Sequence, residues 1–386
     1  MAGKIDSGRE TLFFGLFLKE QNAFGIMFGR TFGSSTLWNN LLLYKKGLAA
    51  PVKKRILIIN TGGTLSSVNS EHGLSPGLSS REILDELRMV SKNLELETED
   101  FCSLDSANIF PEDWAALAVK IGQVYKNYEG IVIIHGTDTL AYTASMLSFM
   151  LQNIPVPVVI TGSQLSISHP VADAMENCRC AIHMAASGYP GVFAAFNRKV
   201  MLGCRTSKIR SMSFDAFDSA NYPNVAEISA LGLHIKKELL PEKKGVFRVQ
   251  PDYSDKVFLL KLYPGIEPSI LTLLQEQGYR GVYIEGFGLG GMPFLKHDFA
   301  SAVRKAVENG MTVLAGSQCP YEGSNLSVYE TGLLALKNGV LQAYDMTAEA
   351  AVTKLMWVLG QTDQAEEIRD YFQTNLVREV TIPAMG

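Results

Sequence analysis

The chain has 386 residues, 47% of them hydrophobic and 19% charged, with a formal net charge of −4, the composition of an ordinary soluble globular protein. The length is ample for a large core and favours two domains. A mildly acidic balance without a long basic run makes neither nucleic acid nor a membrane surface an expected partner.

Residues 1–52 read as an N-terminal extension of unassigned role. The apolar run around residues 12–18 is ended by Lys19-Glu20-Gln21, far short of the roughly 18 residues that a spanning helix needs. Ala23-Phe24-Gly25 makes a poor signal-peptide cleavage site. An accessory surface segment and an upstream start both remain open.

From Arg55 the pattern becomes regular. ILIIN (56–60) predicts a buried strand, and residues 77–91 have helical spacing. Residues 111–128 predict a helix with Pro111 at its start and acids in the first turn. Further apolar runs at 130–136, 156–162 and 191–197 predict strands. Strands alternating with helices of this length predict βαβ units, hence a larger N-terminal, mainly parallel sheet with helices on both faces. Residues 239–254 turn polar and Pro-containing, which suggests a linker. A second series follows, with strands at 256–262, 281–286 and 312–317 and helices from about 268, 298 and 346, and predicts a smaller C-terminal α/β domain. The expected division is an extension (1–52), an N-terminal domain (53–240), a linker (241–255) and a C-terminal domain (256–386).

The five cysteines are odd in number and scattered, which suggests reduced thiols. Cys178-Arg-Cys180 lacks CxxC spacing and a second pair, so no metal is expected. Cys319 reads as a buried structural cysteine.

Two loops stand out. RILIINTGGTLSS and GIVIIHGTDTLAY each run an apolar strand into a Gly beside hydroxyl residues. In an open parallel sheet, ligands bind beyond the carboxyl ends of the strands, so neighbouring strands would bring both loops over one site. Gly62-Gly63 permits close backbone approach. GxGxxG and GxxxxGK[ST] are absent, which gives nucleotide binding little support. A threonine hydroxyl is a weak nucleophile that needs a neighbour to take its proton. Thr64, Thr137 and Asp138 supply hydroxyls and a carboxylate, and Lys208, in the polar stretch 203–219, is the candidate lysine. Lys236, Lys237, Lys243 and Lys244 read as solvated. His135, alone at a strand end, reads as structural.

At these residues the sequence resembles the L-asparaginase family, specifically its type I, cytoplasmic-type enzymes. The resemblance runs from about Lys54 to Leu376. It rests on TGGT (61–64), LDSANIFPEDW (104–114), HGTDTLAYTASMLSFML (135–151), TGSQ (161–164), SKIRSMSFDAFDSANYPNVAEI (207–228) and DMTAEAAVTKLMWVLG (345–360). It implies that Thr64 attacks the side-chain amide of L-asparagine to form an acyl-enzyme. It also implies that Thr137, Lys208 and Asp138 form a second reactive group, with Lys208 easing deprotonation of Thr137 and Asp138 orienting the lysine. Substrate binding would fall to Asp105 and Ser106 at the α-carboxylate and to Thr137 and Asp138, the aspartate at the α-ammonium. The implied enzyme uses no cofactor, is cytoplasmic, and assembles as a homodimer or homotetramer.

The sequence departs from the family in one place. Many members have a tyrosine ten residues after the nucleophile, in a lid that closes over the site, where this chain has Leu74. Leucine cannot move a proton, although Gly73, Pro76 and Gly77 suit a hinged lid. Two alternatives stand beside the amidohydrolase: the glutaminase subunit of a tRNA-dependent amidotransferase, which looks similar over the same motifs, and a non-catalytic asparagine-binding protein, for which Leu74 is the best argument.

Overall fold

The ILII run of β1 (Lys54–Gly62) is completely buried because it lies inside a sheet covered on both faces. The computed structural model describes residues 53–70, 73–76, 80–87 and 93–382, and the expectation for residues 1–52 lies outside them. Beside β1 run β4 (Leu94–Leu104) on one side and β5 (Gly130–Ile134) on the other. Beyond β5 come β6 (Pro157–Thr161), β7 (Gly191–Phe196), β8 (Lys199–Leu202), β11 (Ala226–Ser229) and β12 (Gly232–Ile235). The first five in this order, β4-β1-β5-β6-β7, are mutually parallel, and β8, β11 and β12 add an antiparallel edge.

The helices of this part are α1 (Ser80–Leu87), α2 (Pro111–Val124), α3 (Leu140–Met150) and α4 (Ala174–Ala185). Helix α2 starts where the sequence places it: Pro111 stands at the first turn, and Asp113 accepts from the Phe110 amide at 2.9 Å. Strand β4 escaped the sequence reading because acids interrupt its apolar residues. As an edge strand it carries Glu97 and Glu99, which pair with Arg55 at 2.7 Å and Lys120 at 2.5 Å.

A second, wholly parallel sheet orders β13 (Val257–Lys261), β14 (Gly281–Gly286), β15 (Thr312–Ser317) and β16 (Leu341–Gln342). With it go α5 (Ile270–Glu276), α6 (Phe299–Glu308), α7 (Glu330–Lys337), α8 (Ala348–Gln361) and α9 (Ala365–Phe372). This smaller sheet has its own apolar cluster around Val282, Ile284, Phe299 and Val313. The fold is therefore α/β, a larger N-terminal sheet with a smaller C-terminal parallel one. Helix α8 crosses back onto α3, where Trp357 stacks on Phe149 with centroids 6.1 Å apart.

The polar stretch before β13 is held to both parts. Gln250 donates its amide to Met150 at the end of α3 and accepts from the Trp357 indole at 3.1 Å, and Ser254 donates to Met356. Two short hairpins complete the chain: β2 (Ser67–Ser70) with β3 (Gly73–Pro76), and β9 (Thr206–Lys208) with β10 (Phe217–Ser219). Cys178, Cys180 and Cys204 are buried free thiols, their pKa pushed up to about 12 chiefly by burial. Cys319 corrects the sequence expectation, since it is exposed, on the loop after β15.

Candidate active site

The order β4-β1-β5-β6-β7 reverses direction between β1 and β5: the chain steps outward from β1 to β4, then returns on the other side of β1. At such a switch point the loops leaving the two strands diverge and leave a crevice at their carboxyl ends. The loops that leave β1 and β5 are the two Gly-Thr loops.

Their backbones touch. Gly62 and Gly63 have φ of +103° and +82°, and a Cβ on Gly63 would lie 2.3 Å from the Gly136 Cα. Only glycine lets the first loop turn and pack this closely on the second. Gly136 in turn packs against the Ser106 side chain. The two threonines of TGGT diverge in use. Thr61 is buried and donates to the Ile134 carbonyl at 2.9 Å, tying β1 to β5, whereas Thr64 faces a cavity.

That cavity has a volume of about 250 Å³ and a polar lining. Thr64, Asp105, Ser106, Thr137, Asp138 and Lys208 all line it, so the structure brings together every site residue that the sequence singled out. Gly63, Gly136, Gln164 and Ser211 complete the wall. The Lys208 ammonium donates to Thr137 Oγ1 at 2.9 Å and to Asp138 Oδ1 at 2.6 Å. The lysine side chain is 17% exposed and the aspartate 64%, so Asp138 keeps open surface toward the cavity while it holds the ammonium. Asp105 accepts from the Ala107 amide at 2.9 Å and so caps the short turn at Ser106–Asn108. Ser106 is buried, its hydroxyl accepting from the Asp138 amide at 3.2 Å.

Sequence reasoning missed two supporting residues. Gln164 ends the TGSQ motif. Its Oε1 accepts from Thr137 Oγ1 at 3.3 Å, and its Nε2 donates to the carbonyls of Ser211 at 3.2 Å and Ser213 at 3.0 Å. Thr137 thus accepts from Lys208 and donates to Gln164. Asp173 accepts from the Gln164 and Leu165 amides and from Asn177 Nδ2, fixing the Gln164 backbone. Gln164 was legible only as part of a motif, and Asp173 carried no signal at all. Leu74 lies on β3, its backbone opposite Asn69.

His135 is structural, as the sequence suggests. Burial pushes its pKa down to about 4, which leaves the ring neutral. Its Nδ1 donates to the Gly136 carbonyl at 2.7 Å. The free Nε2 accepts from Thr143 at 2.8 Å, and Thr143 accepts from the Trp114 indole at 2.9 Å. This chain of bonds braces the backbone just before Thr137.

Comparison with known proteins agrees with the fold and the motifs. The family model "Asparaginase, N-terminal" matches residues 55–241, and "Glutaminase/Asparaginase C-terminal domain" matches residues 256–372. The chain is 39% identical over 329 residues to a protein named L-asparaginase from Thermococcus kodakarensis, covering 85% of this chain and 99% of that one. A solved structure of the thermostable L-asparaginase from that organism superposes with a TM-score of 0.80 at 38% identity, over 85% of this chain and all of the other. L-asparaginase I from Vibrio cholerae superposes with a TM-score of 0.77 at 31% identity, over 86% of this chain and all of that one. The chain is also 35% identical over 343 residues to a subunit of the glutamyl-tRNA(Gln) amidotransferase of Pyrococcus abyssi, covering 86% of this chain and 78% of that one. Two family models spanning most of the sequence, with an L-asparaginase relative matched over nearly its whole length, show that this chain belongs to the asparaginase family of hydrolytic enzymes.

Proposed function

We propose that this protein hydrolyses L-asparagine to L-aspartate and ammonia through a threonine acyl-enzyme. One observation carries the reading: the Lys208 ammonium bridges Thr137 Oγ1 and Asp138 Oδ1 on the wall of the cavity that Thr64 also lines. In this reading Thr64 Oγ1 attacks the side-chain amide carbon. The C–N bond breaks, ammonia leaves with the hydroxyl proton, and an ester remains on Thr64. The Lys208 ammonium lowers the cost of negative charge developing at Thr137 Oγ1, and Asp138 holds the lysine in place. Water then splits the ester, which frees aspartate and restores the hydroxyl. The exposed oxygen surface of Asp138 suits the substrate α-ammonium, and Ser106 on the loop begun by Asp105 suits its α-carboxylate.

The same reading takes residues 53–240 as the domain holding the site, 241–255 as a linker and 256–386 as the C-terminal domain, which the spans of the two family models support. It also takes the enzyme as cytoplasmic and as a homodimer or homotetramer. Five free thiols support a reducing compartment. A second reading, glutamine hydrolysis for an amidotransferase, is favoured by the 35% identity to the Pyrococcus abyssi amidotransferase subunit.

Ammonia release from L-asparagine and from L-glutamine, each with Thr64→Ala as control, tests both. Asparagine turnover that disappears in Thr64→Ala is the expected result. Glutamine-only turnover would favour the second reading, and asparagine binding without turnover would indicate a sensor.

A further inference from the structure

The strand that carries Lys208 belongs to neither large sheet. Strand β9 pairs only with β10, and each is three residues long. A hairpin this short is not stable by its own ladder, so its position must come from tertiary contacts. Some of those contacts come from α3 and from the Phe196–Phe217 ring pair on the N-terminal side, and the rest from the C-terminal part of the chain. The fully buried Arg205 guanidinium, just before β9, donates to the Asp345 carbonyl at 3.1 Å and pairs with the Asp345 carboxylate at 3.1 Å. Two residues later, Ser207 Oγ donates to Glu349 Oε1 at 2.9 Å. The Lys208 amide also faces the Glu349 carboxylate.

Glu349 lies in the first turn of α8, buried, and Thr347 caps that helix by accepting from the Ala350 amide at 3.0 Å. The hydrogen-bonding groups that face its carboxylate are the Ser207 and Thr347 hydroxyls and the Lys208 and Glu349 amides; Tyr142 and Tyr283 also lie close enough to feel its charge. None of these is a cation, and burial accordingly raises its pKa. An acid buried without a cation costs stability that apolar packing there would not. Its hydrogen bond to Ser207 ties it to the residue next to Lys208.

We infer that Glu349 is a positioning residue: it seats β9 so that the Lys208 ammonium reaches Thr137 and Asp138. The inference rests on the amidohydrolase reading for its kinetic form. It makes α8, on the C-terminal side of the molecule, part of the machinery that sets the geometry of a site whose lining residues all precede Tyr253 in the chain.

Asparagine kinetics of Glu349→Ala, Glu349→Gln and Ser207→Ala test it, each variant checked for folding by circular dichroism. A misplacement near 1 Å predicts a fall in kcat of about 100-fold for Glu349→Ala, with KM changed less than about threefold because the substrate contacts remain. Gln keeps an acceptor for Ser207 and is expected to recover about tenfold of that loss. Ser207→Ala should shift kcat in the same direction by less. A folded Glu349→Ala with wild-type kcat would overturn the inference, as would equal losses in the Ala and Gln variants. Should Glu349→Ala not fold, Ser207→Ala decides by the same criterion. Should the wild-type protein hydrolyse neither amide, the amidohydrolase reading fails separately. The crystal structure of Glu349→Ala then decides, since Lys208 displaced from Thr137 supports positioning and an unchanged contact refutes it.

Discussion

His135 is fully buried and keeps its ring neutral to brace the Gly136 carbonyl behind Thr137. Its pKa in the folded protein is pushed down from 6.5 to about 4 by burial. Between those values the unfolded chain binds a proton that the folded chain refuses. Stability is therefore undiminished above about pH 6.5, falls as the pH drops through this window, and loses about 3 kcal/mol from this one residue by the time it levels off near pH 4. Denaturant unfolding of wild type and His135→Asn at pH 7 and 4.5 checks this: the wild type should lose more stability between the two pH values, and parallel losses would refute the assignment. The neighbouring residues show how far the sequence could be read. The two Gly-Thr motifs stood out only as a pair, because Gly62-Gly63 alone reads more readily as a tight strand-to-helix turn and the second loop adds Thr137 and Asp138. The different duties of Thr61 and Thr64 were legible only through the resemblance, because the residue type is the same and only the direction of each side chain separates them.

Among elements, the central strands were the easiest to read. Strands β1, β5 and β6 are covered on both faces, so burial demands an unbroken apolar run. The hairpin β9–β10 was not legible, since three-residue strands carry no period. The C-terminal tail was equally silent, yet it holds the most deeply buried ion pair. Lys354 on α8 meets Glu379 at 2.5 Å, both side chains fully buried, and Glu379 also accepts from the Leu376 and Val377 amides. Lys354→Met should destabilise the protein by about 3–5 kcal/mol, because it leaves a buried carboxylate without its cation. The double variant Lys354→Met/Glu379→Gln should regain part of that loss. Chemical denaturation of the three proteins decides the point, and a single variant as stable as wild type would contradict it.

Across the whole molecule, the residues lining the cavity come before the polar stretch at 241–255, but part of their support comes after it. Helix α8 covers α3 through Trp357 and Phe149, and residues 345–349 hold the segment that bears Lys208. A chain spanning 53–240 would expose that apolar face of α3 and free the β9 segment. It should be poorly soluble and release no ammonia from asparagine, measured beside the full chain. A folded, active fragment would show that the C-terminal part is dispensable for the site. The exposure of Cys319 belongs to this scale too, since burial of a loop cysteine depends on what packs over it, which neighbours in sequence do not reveal.

The amino-acid order was enough to establish the α/β class and the two series of strands and to single out the two Gly-Thr loops, because these follow from local periodicity, backbone permissiveness and side-chain type. The packing had to supply the rest: that β1 and β5 are neighbours at a switch point, that Lys208 reaches both Thr137 and Asp138, and that Gln164, Asp173 and Glu349 stand behind them. Most of those depend on contacts between residues far apart in the chain, and no local pattern encodes such a distance.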